Sequence, residues 1–306
     1  MKKGKVVVFG SFVVDLTSWG KHLAVPGETV KGSTFKMGPG GKGSNQGVAA
    51  SRAGADVTLV TKVGNDVFGK VALDFYKKEN MSTQYVFIDE KKETGTALIM
   101  VDEESGQNQI LVVSGACDNI TDQEIMKAEQ LIDEADILLL QLEINMDAIA
   151  KVINMAHAKG KQIVLNTAPA QKLPDSLLKK LDIVTPNEIE AGILTDMKVE
   201  TEDDAQKAAQ ILLNKGVKSV VITMGKNGVF VMTLDRKEFI PSMKVKAIDT
   251  TGAGDAFNGG FVTALSEGKD IFEAARFGNI VGALSVTKVG TAPAMPYRKD
   301  IDGFKN

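Results

Sequence analysis

The residues best suited to chemistry lie in Ile248-Asp249-Thr250-Thr251-Gly252-Ala253-Gly254-Asp255-Ala256-Phe257-Asn258-Gly259-Gly260-Phe261. A polar turn with glycines at 252 and 254 leads into a helical pattern, with Phe257, Phe261, Ala264 and Leu265 on one face. Gly259 and Gly260 permit close backbone approach to that helix. The first N–H groups of a helix have no intrahelical partner, and the helix dipole adds positive charge at the same end. The N–H groups of Gly252, Ala253 and Gly254 are therefore suited to hold the charge of a transferring phosphoryl group. Asp255 is then placed to take the proton of an attacking hydroxyl. The same residues also fit a capped helix whose glycines serve packing alone, and the turn by itself leaves both readings open.

A second candidate stretch is Gly38-Pro39-Gly40-Gly41-Lys42-Gly43-Ser44-Asn45-Gln46, running into the small-residue segment from Gly47 to Gly54. It contains a G-x-G-x-x-G pattern, but a dinucleotide fingerprint sits in the turn directly after the first strand, and here a long stretch of strand and turn intervenes. A phosphate-binding P-loop also fails, because Gly41-Lys42 is followed by Gly43 without the upstream spacing. What remains is a glycine loop opening an Ala-rich helix, either with Lys42 solvated or with Lys42 and Asn45 at a pocket for a polyhydroxylated molecule. In the latter case they face Asp15, whose side chain shares a strand face with Val13.

These residues need a scaffold. Lys5–Gly10 and Val57–Lys62 read as buried strands, Ser11–Trp19 and Thr29–Met37 as extended segments, and Asp66 to about Asn80 as a helix. Thr94–Val101 and Gln109–Ser114 form a hairpin across residues 102–106. With the two extended segments it is expected to build a small antiparallel sheet, read as a lid over the pocket; an edge extension of the main sheet fits the pattern as well. From Thr121 helix and strand alternate: helix 121–135, strand 137–142, helix 146–159, then strands 163–166 and 183–185. This predicts a mainly parallel sheet covered by helices on both faces.

Ligands of such sheets bind beyond the carboxyl ends of the strands. Glu143, Asn166, Asn187 and the 252–255 turn are all expected at that edge. Asn187 and Glu190 stand three apart at a helix start, suited to hold Mg²⁺ through its waters or to cap the helix. Strand 220–223 and the turn 224–228 form either a plain hairpin or a wall of a nucleotide site. Helices near 271–286 and from Arg298 complete the layers, and the loop 287–293 is expected to adjoin Asp249.

Composition sets limits. Hydrophobic content of 43% and charged content of 25% are those of an ordinary globular chain. A net charge of −3 gives no basic surface for nucleic acid or an anionic membrane. Cys117 is the only cysteine, so no disulfide forms within the chain, and two histidines make no zinc site. After Met1-Lys2-Lys3-Gly4 the apolar run Val6–Phe9 is too short for a signal peptide, and no run reaches membrane-spanning length. A soluble, cytoplasmic protein is expected.

Taken together, Gly40–Gln46, Gln141-Leu142-Glu143, Thr185-Pro186-Asn187-Glu188, Asn187-x-x-Glu190 and Asp249–Asp255 resemble, in order, the signatures of the ribokinase family of carbohydrate kinases. The resemblance covers essentially the whole chain. It implies a three-layer α/β sandwich over 1–306 as one domain, with a β lid from about 13–37 and 94–114 that often forms a homodimer interface. It also implies ATP as phosphoryl donor and a sugar as acceptor. On the matching positions, Asp255 looks like the base, and Gly252, Ala253 and Gly254 like the anion hole. Asp15, Gly41, Lys42, Asn45 and Glu143 match sugar-contacting positions, and Asn187 and Glu190 those handling Mg²⁺ and phosphate. Thr223, Gly225, Gly228 and Asn279 fall where the nucleotide lies. Asp249, Thr251, Ser285, Lys288, Gly290 and Ala294 match a site for a monovalent cation, K⁺ as a rule. Ala294 offers no hydroxyl where family members often have serine.

One departure bears on the sugar. Family members resemble Gly-Ser-x-Asn-x-Asp where this chain reads Gly10-Ser11-Phe12-Val13-Val14-Asp15, so Val13 stands in place of an amide. An apolar side chain suits a deoxy carbon, and deoxyribokinase-like members also carry an apolar residue here. The resemblance therefore implies phosphorylation of the 5-hydroxyl of ribose, with 2-deoxyribose or another sugar or nucleoside as alternatives. The rival of a different class is a sugar or nucleotide sensor without catalysis.

Overall fold

The computed structural model describes residues 3–304; Met1 and Lys2 of the N-terminal run lie outside it. Its main sheet holds nine strands in the order β13-β12-β11-β10-β9-β8-β1-β4-β5. They are β1 (Lys5–Phe9), β4 (Asp56–Gly64), β5 (Val86–Asp89), β8 (Ile137–Leu140), β9 (Gln162–Leu165), β10 (Ile183–Val184), β11 (Ser219–Thr223), β12 (Gly228–Thr233) and β13 (Lys237–Pro241). Pairing is parallel from β5 through β11, and β12 and β13 add antiparallel strands at one edge. Side chains alternate across β1. Val6 and Val8 join one core with helices α1 (Lys42–Ala53), α2 (Val67–Lys78), α9 (Ala253–Ser266), α10 (Ile271–Ser285) and α11 (Arg298–Asp302). Val7 and Phe9 join the other, under α3 (Asp122–Lys127), α4 (Glu129–Glu134), α5 (Met146–Ala158), α6 (Asp175–Leu178), α7 (Glu188–Thr195) and α8 (Glu202–Asn214). The three expected layers are present.

The chain leaves β1 for β4 and β5 on one side, then returns to lay β8 on the other. Strand order therefore reverses between β1 and β8, which opens a crevice at their carboxyl ends. A separate four-stranded sheet, in the order β3-β2-β6-β7, rises beside it: β2 (Val13–Gly20), β3 (Thr34–Gly40), β6 (Thr94–Asp102) and β7 (Asn108–Gly115). Of the two arrangements the sequence pattern allows, the separate sheet is the one formed, not the edge extension. Its central β2–β6 pair is parallel, not antiparallel, because the chain passes through β3, α1, β4, α2 and β5 before coming back.

Other boundaries differ from the sequence reading. β3 begins at Thr34 rather than Thr29 and absorbs Gly38-Pro39-Gly40, read above as loop. Pro39, which has no N–H, is accommodated because β3 is an edge strand. α1 begins at Lys42, earlier than the small-residue run suggested. The helix over 121–135 is two helices meeting at Ala128, whose φ of −91° and ψ of 1° leave α geometry. No helix among the described residues is long and apolar enough to cross a membrane.

Candidate active site

Glycines set the distances between the elements that build the site. At Gly41, φ is +90°, and a Cβ would stand 2.8 Å from the Val13 nitrogen, so the chain enters α1 tightly against β2. A Cβ on Gly43 would lie 2.5 Å from Gly10, so the start of α1 abuts the end of β1. On the far side, a Cβ on Gly259 would meet the Gln46 carbonyl oxygen at 2.7 Å, and one on Gly260 a Val281 methyl at 2.5 Å. These close approaches carry α9 against α1 and α10.

Asp255 lies buried in the first turn of α9. Its Oδ2 accepts from Asn45 Nδ2 and its Oδ1 from Gln46 Nε2, each at 2.9 Å. Burial pushes its carboxyl above the usual range, opposed by the Lys42 charge and the two amide donors, while Glu143 adds to the rise. Just upstream, Gly252 adopts a φ of +77° and turns the chain into the helix. The Ala253 N–H is drawn to the Thr250 carbonyl at 3.3 Å, whereas those of Gly252 and Gly254 meet no acceptor among the described residues. The expected anion cradle is thus two N–H groups with a third engaged in the turn. A Cβ on Gly254 would face open space.

Around this pair stand the polar groups expected from the sequence. Glu143, just past β8, accepts from Ser11 Oγ and from the Lys42 N–H at 2.9 Å, so a carboxylate satisfies an orphan donor of α1 across the crevice. Its other oxygen is 3.8 Å from Lys42 Nζ. For Lys42, burial works against the charge, but Asp255, Glu143, Glu190 and Asp15 outweigh it and hold the pKa above the ordinary lysine value. Asp15, on β2, is pushed up to about 6 by burial, against the hydroxyl of Thr291 at 3.2 Å and with Glu143 and Asp255 adding to the rise. Val13 shares its sheet face and is buried, paired with Gly40 on one side and Gly95 on the other.

Asn187 and Glu190 are brought together as a capping box. Asn187 Oδ1 accepts from the Glu190 N–H at 2.8 Å, and Glu190 Oε2 from the Asn187 N–H at 3.0 Å. Burial raises the Glu190 carboxyl, partly offset by the Asn187 N–H and Lys42. Asn187 bridges Thr223 at the end of β11. Beyond it, Gly225 lies in a short 3-10 turn, and Gly228 pairs with Pro241. Asn279 Nδ2 donates to the Pro241 carbonyl at 2.8 Å, which gathers Thr223, Gly225, Gly228 and Asn279 at one end of the sheet.

The loop after α10 does adjoin Asp249. Its carboxylate accepts from the Thr251 and Gly290 N–H groups, each at 2.9 Å, and Ile248 N–H reaches the Val286 carbonyl at 2.7 Å. Of the remaining cation candidates, Ser285 turns its hydroxyl to Gly282 and accepts from the Lys288 N–H at 3.3 Å, while Ala294 is buried and donates its N–H to Thr291. Among the described residues no group of three or more acidic, histidine or cysteine side chains is disposed to hold a metal ion directly.

Sequence reasoning passed over Gln46, Gln141 and Thr291 as site residues. Gln46 follows Asn45 directly, and adjacent helical residues ordinarily face apart. Thr291 reaches both Asp15 and the Pro39 carbonyl from a loop remote in sequence. Only the packing reveals either.

A buried carboxylate next to partnerless helix N–H groups, with a lysine and an amide facing it at a strand-order reversal, is the apparatus of a phosphoryl-transfer enzyme. The model of the pfkB family carbohydrate kinases matches residues 3–298, and the chain belongs to that family. It is an ATP-dependent sugar kinase. The chain is 41% identical to the ribokinase of Haemophilus influenzae, with 96% of each chain covered. It is 35% identical to the deoxyribokinase of Salmonella typhi, with 95% of each covered. Among solved structures, the Arabidopsis thaliana ribokinase complexed with ribose and ATP superposes with a TM-score of 0.90 at 29% identity, over 99% of this chain and all of that one.

Proposed function

We propose that this kinase transfers the γ-phosphate of ATP to the 5-hydroxyl of D-ribose. The observation that carries the reading is Asp255, a buried carboxylate held by two α1 amides beside the open N–H groups of Gly252 and Gly254. Asp255 takes the proton as the sugar oxygen attacks, and the N–H groups of the 252–254 turn stabilise the charge on the transferred group. Asp15, Gly41, Lys42, Asn45 and Glu143 hold the sugar hydroxyls. Thr223, Gly225, Gly228 and Asn279 line the nucleotide. Asn187 and Glu190 would hold Mg²⁺ through water, and K⁺ would be held among Asp249, Thr251, Ser285, Lys288, Gly290 and Ala294; bound there, the ions would offset the negative charge of the phosphates.

In this reading the whole chain is one cytosolic kinase unit, and residues about 13–37 and 94–114 close over the sugar and exclude water. The lid face opposite Val13 and Asp15 exposes Phe35, Met37, Leu98, Met100, Leu111 and Val113, an apolar patch that supports a homodimer formed through the lid. Val13 favours a second substrate, 2-deoxyribose, because a buried valine offers no partner to a 2-hydroxyl. The test is an assay of ADP formation with D-ribose and 2-deoxy-D-ribose, each with and without K⁺. A higher kcat/KM for ribose supports the first reading, and preference for the deoxy sugar the second. Sugar binding without ATP consumption would leave a sensor.

A further inference from the structure

Gln46 is completely buried in α1, and every hydrogen-bonding group of its side chain is used. Its Nε2 donates to Asp255 Oδ1 and to Asn166 Oδ1, each at 2.9 Å, and its Oε1 accepts from Gln141 Nε2 at 2.7 Å. An amide in a symmetric pocket could turn over and present its oxygen to the carboxylate. Here it cannot, because a turned amide would set its oxygen against two acceptors, Asp255 Oδ1 and an Asn166 Oδ1 whose orientation is fixed by the Asn166 amide's own bond. Asn166 in turn donates to the Thr185 carbonyl at 2.8 Å, and Asn258 Nδ2, one turn along α9 from Asp255, donates to the Gly254 carbonyl at 2.8 Å. A chain of neutral amides thus runs from the ends of β8, β9 and β10 to a single carboxylate oxygen.

This arrangement does more than fill space. A hydrocarbon of the same shape would pack the core without leaving polar atoms to satisfy, whereas this amide network leaves Gln141 Oε1 without a partner, a cost that packing alone does not call for. Asn45 alone already serves Oδ2, yet its own Oδ1 meets no partner, so its amide orientation is not locked in the same way. The groups that face Asp255 with charge are Lys42 from α1, Glu143 from the loop after β8, Asp15 from β2 and Glu190 from α7. Three of these four are acidic. The Lys42 charge, then the amide donors of Gln46 and Asn45, favour the ionised carboxyl, and the fixed N–H of Gln46 also orients its Oδ1.

We propose that Gln46, oriented by Asn166 and backed by Gln141, is a positioning residue that aims Asp255 and keeps it in its proton-accepting form. This inference rests on Asp255 being the base of the proposed kinase reaction. Gln46 is fully buried with its side chain bonded only to Asp255, Asn166 and Gln141, so it acts through Asp255.

The test uses the full-length enzyme with Mg²⁺, ATP and the best sugar of the assay above. Gln46→Glu keeps the shape but sets a like charge beside Asp255. Gln46→Met removes the donor outright. Both changes raise the carboxyl's pKa, so the acid limb of the kcat/KM profile moves to higher pH by about half a unit or more. At neutral pH kcat falls about ten-fold or more, and KM for the sugar stays within about three-fold. Gln141→Met leaves the Gln46 donor in place but strips its Oε1 of its partner; a smaller loss with the limb moving the same way is expected. It also serves where the Gln46 variants do not fold, as judged by thermal melting. Unmoved acid limbs in the folded variants, or losses confined to KM, would overturn the proposal. Asp255→Asn separates the two readings: near wild-type turnover there removes the base itself, whereas an inactive Asp255→Asn beside unaltered Gln46 and Gln141 profiles removes only Gln46's role.

Discussion

Asp15→Asn isolates what the sugar site costs the fold. Asp15 is a largely buried carboxylate whose pKa stands at about 6 against 3.8 for the free side chain, mainly through burial. Between those values the folded protein binds more protons than the unfolded chain, so ionising Asp15 lowers stability as pH rises through that window. Each pKa unit is worth about 1.4 kcal/mol, which puts the upper bound near 3 kcal/mol. Partial solvent access and the retained Thr291 contact reduce the expected gain to about 1–2 kcal/mol, since an asparagine oxygen still accepts from that hydroxyl. In a chain of this size that is a rise in Tm of roughly 1.5–3 °C at pH 8, fading as the pH approaches 4. On the proposed sugar contact, the same change removes a charged acceptor, and kcat/KM is expected to fall by about ten- to a hundred-fold. Melting curves of both proteins across this pH range, alongside steady-state kinetics, provide the check. A lower Tm at pH 8, or a gain equal at pH 4 and pH 8, would refute the claim that Asp15 is held at a cost to the fold.

Two further substitutions probe packing and selectivity. Gly259→Ala drives a methyl into the backbone of α1, 2.7 Å from the Gln46 oxygen and 2.8 Å from the Ala50 nitrogen. A loss of about 1–3 kcal/mol in urea unfolding is expected, with reduced turnover as Asn45 and Gln46 shift from Asp255; an unchanged midpoint would contradict the close α1–α9 contact. Val13→Asn supplies a partner for a 2-hydroxyl at a position facing the sugar side of the lid. The ratio of kcat/KM for ribose over 2-deoxyribose should rise about five-fold, and an unmoved ratio would remove Val13 from the determinants of selectivity.

Much of this was legible in the chain itself. The run Val6–Phe9 and the turn into Phe257 and Phe261 announced a buried strand and a helix start, because period and composition agree there. The Thr201-x-x-Asp204 capping box opening α8 was equally readable and was passed over. Strand β13 and the true start of β3 were not, since their exposed edge residues carry little apolar alternation. The parallel β2–β6 pair depends on a crossover through five intervening elements, which no local pattern encodes. At the site, Asp255, Lys42, Asn45, Glu143 and Asp15 could be named because each stands in a short motif. Gln46 and Thr291 gain their contacts only through long-range packing, and the engagement of Ala253 by Thr250 is a detail of turn geometry.

The central claim is that Asp255 is the base for phosphoryl transfer to the primary hydroxyl of a pentose, and one comparison addresses it most directly. Wild type and Asp255→Asn would be incubated with ATP, Mg²⁺ and D-ribose, with phosphorus NMR following the product and calorimetry measuring sugar affinity. The predicted result is a phosphate ester on the 5-carbon with one ADP per ester from the wild type. In the variant the sugar still binds within a few-fold, while turnover drops by at least about a hundred-fold. An ester at another carbon, or turnover by Asp255→Asn close to the wild-type rate, would contradict it.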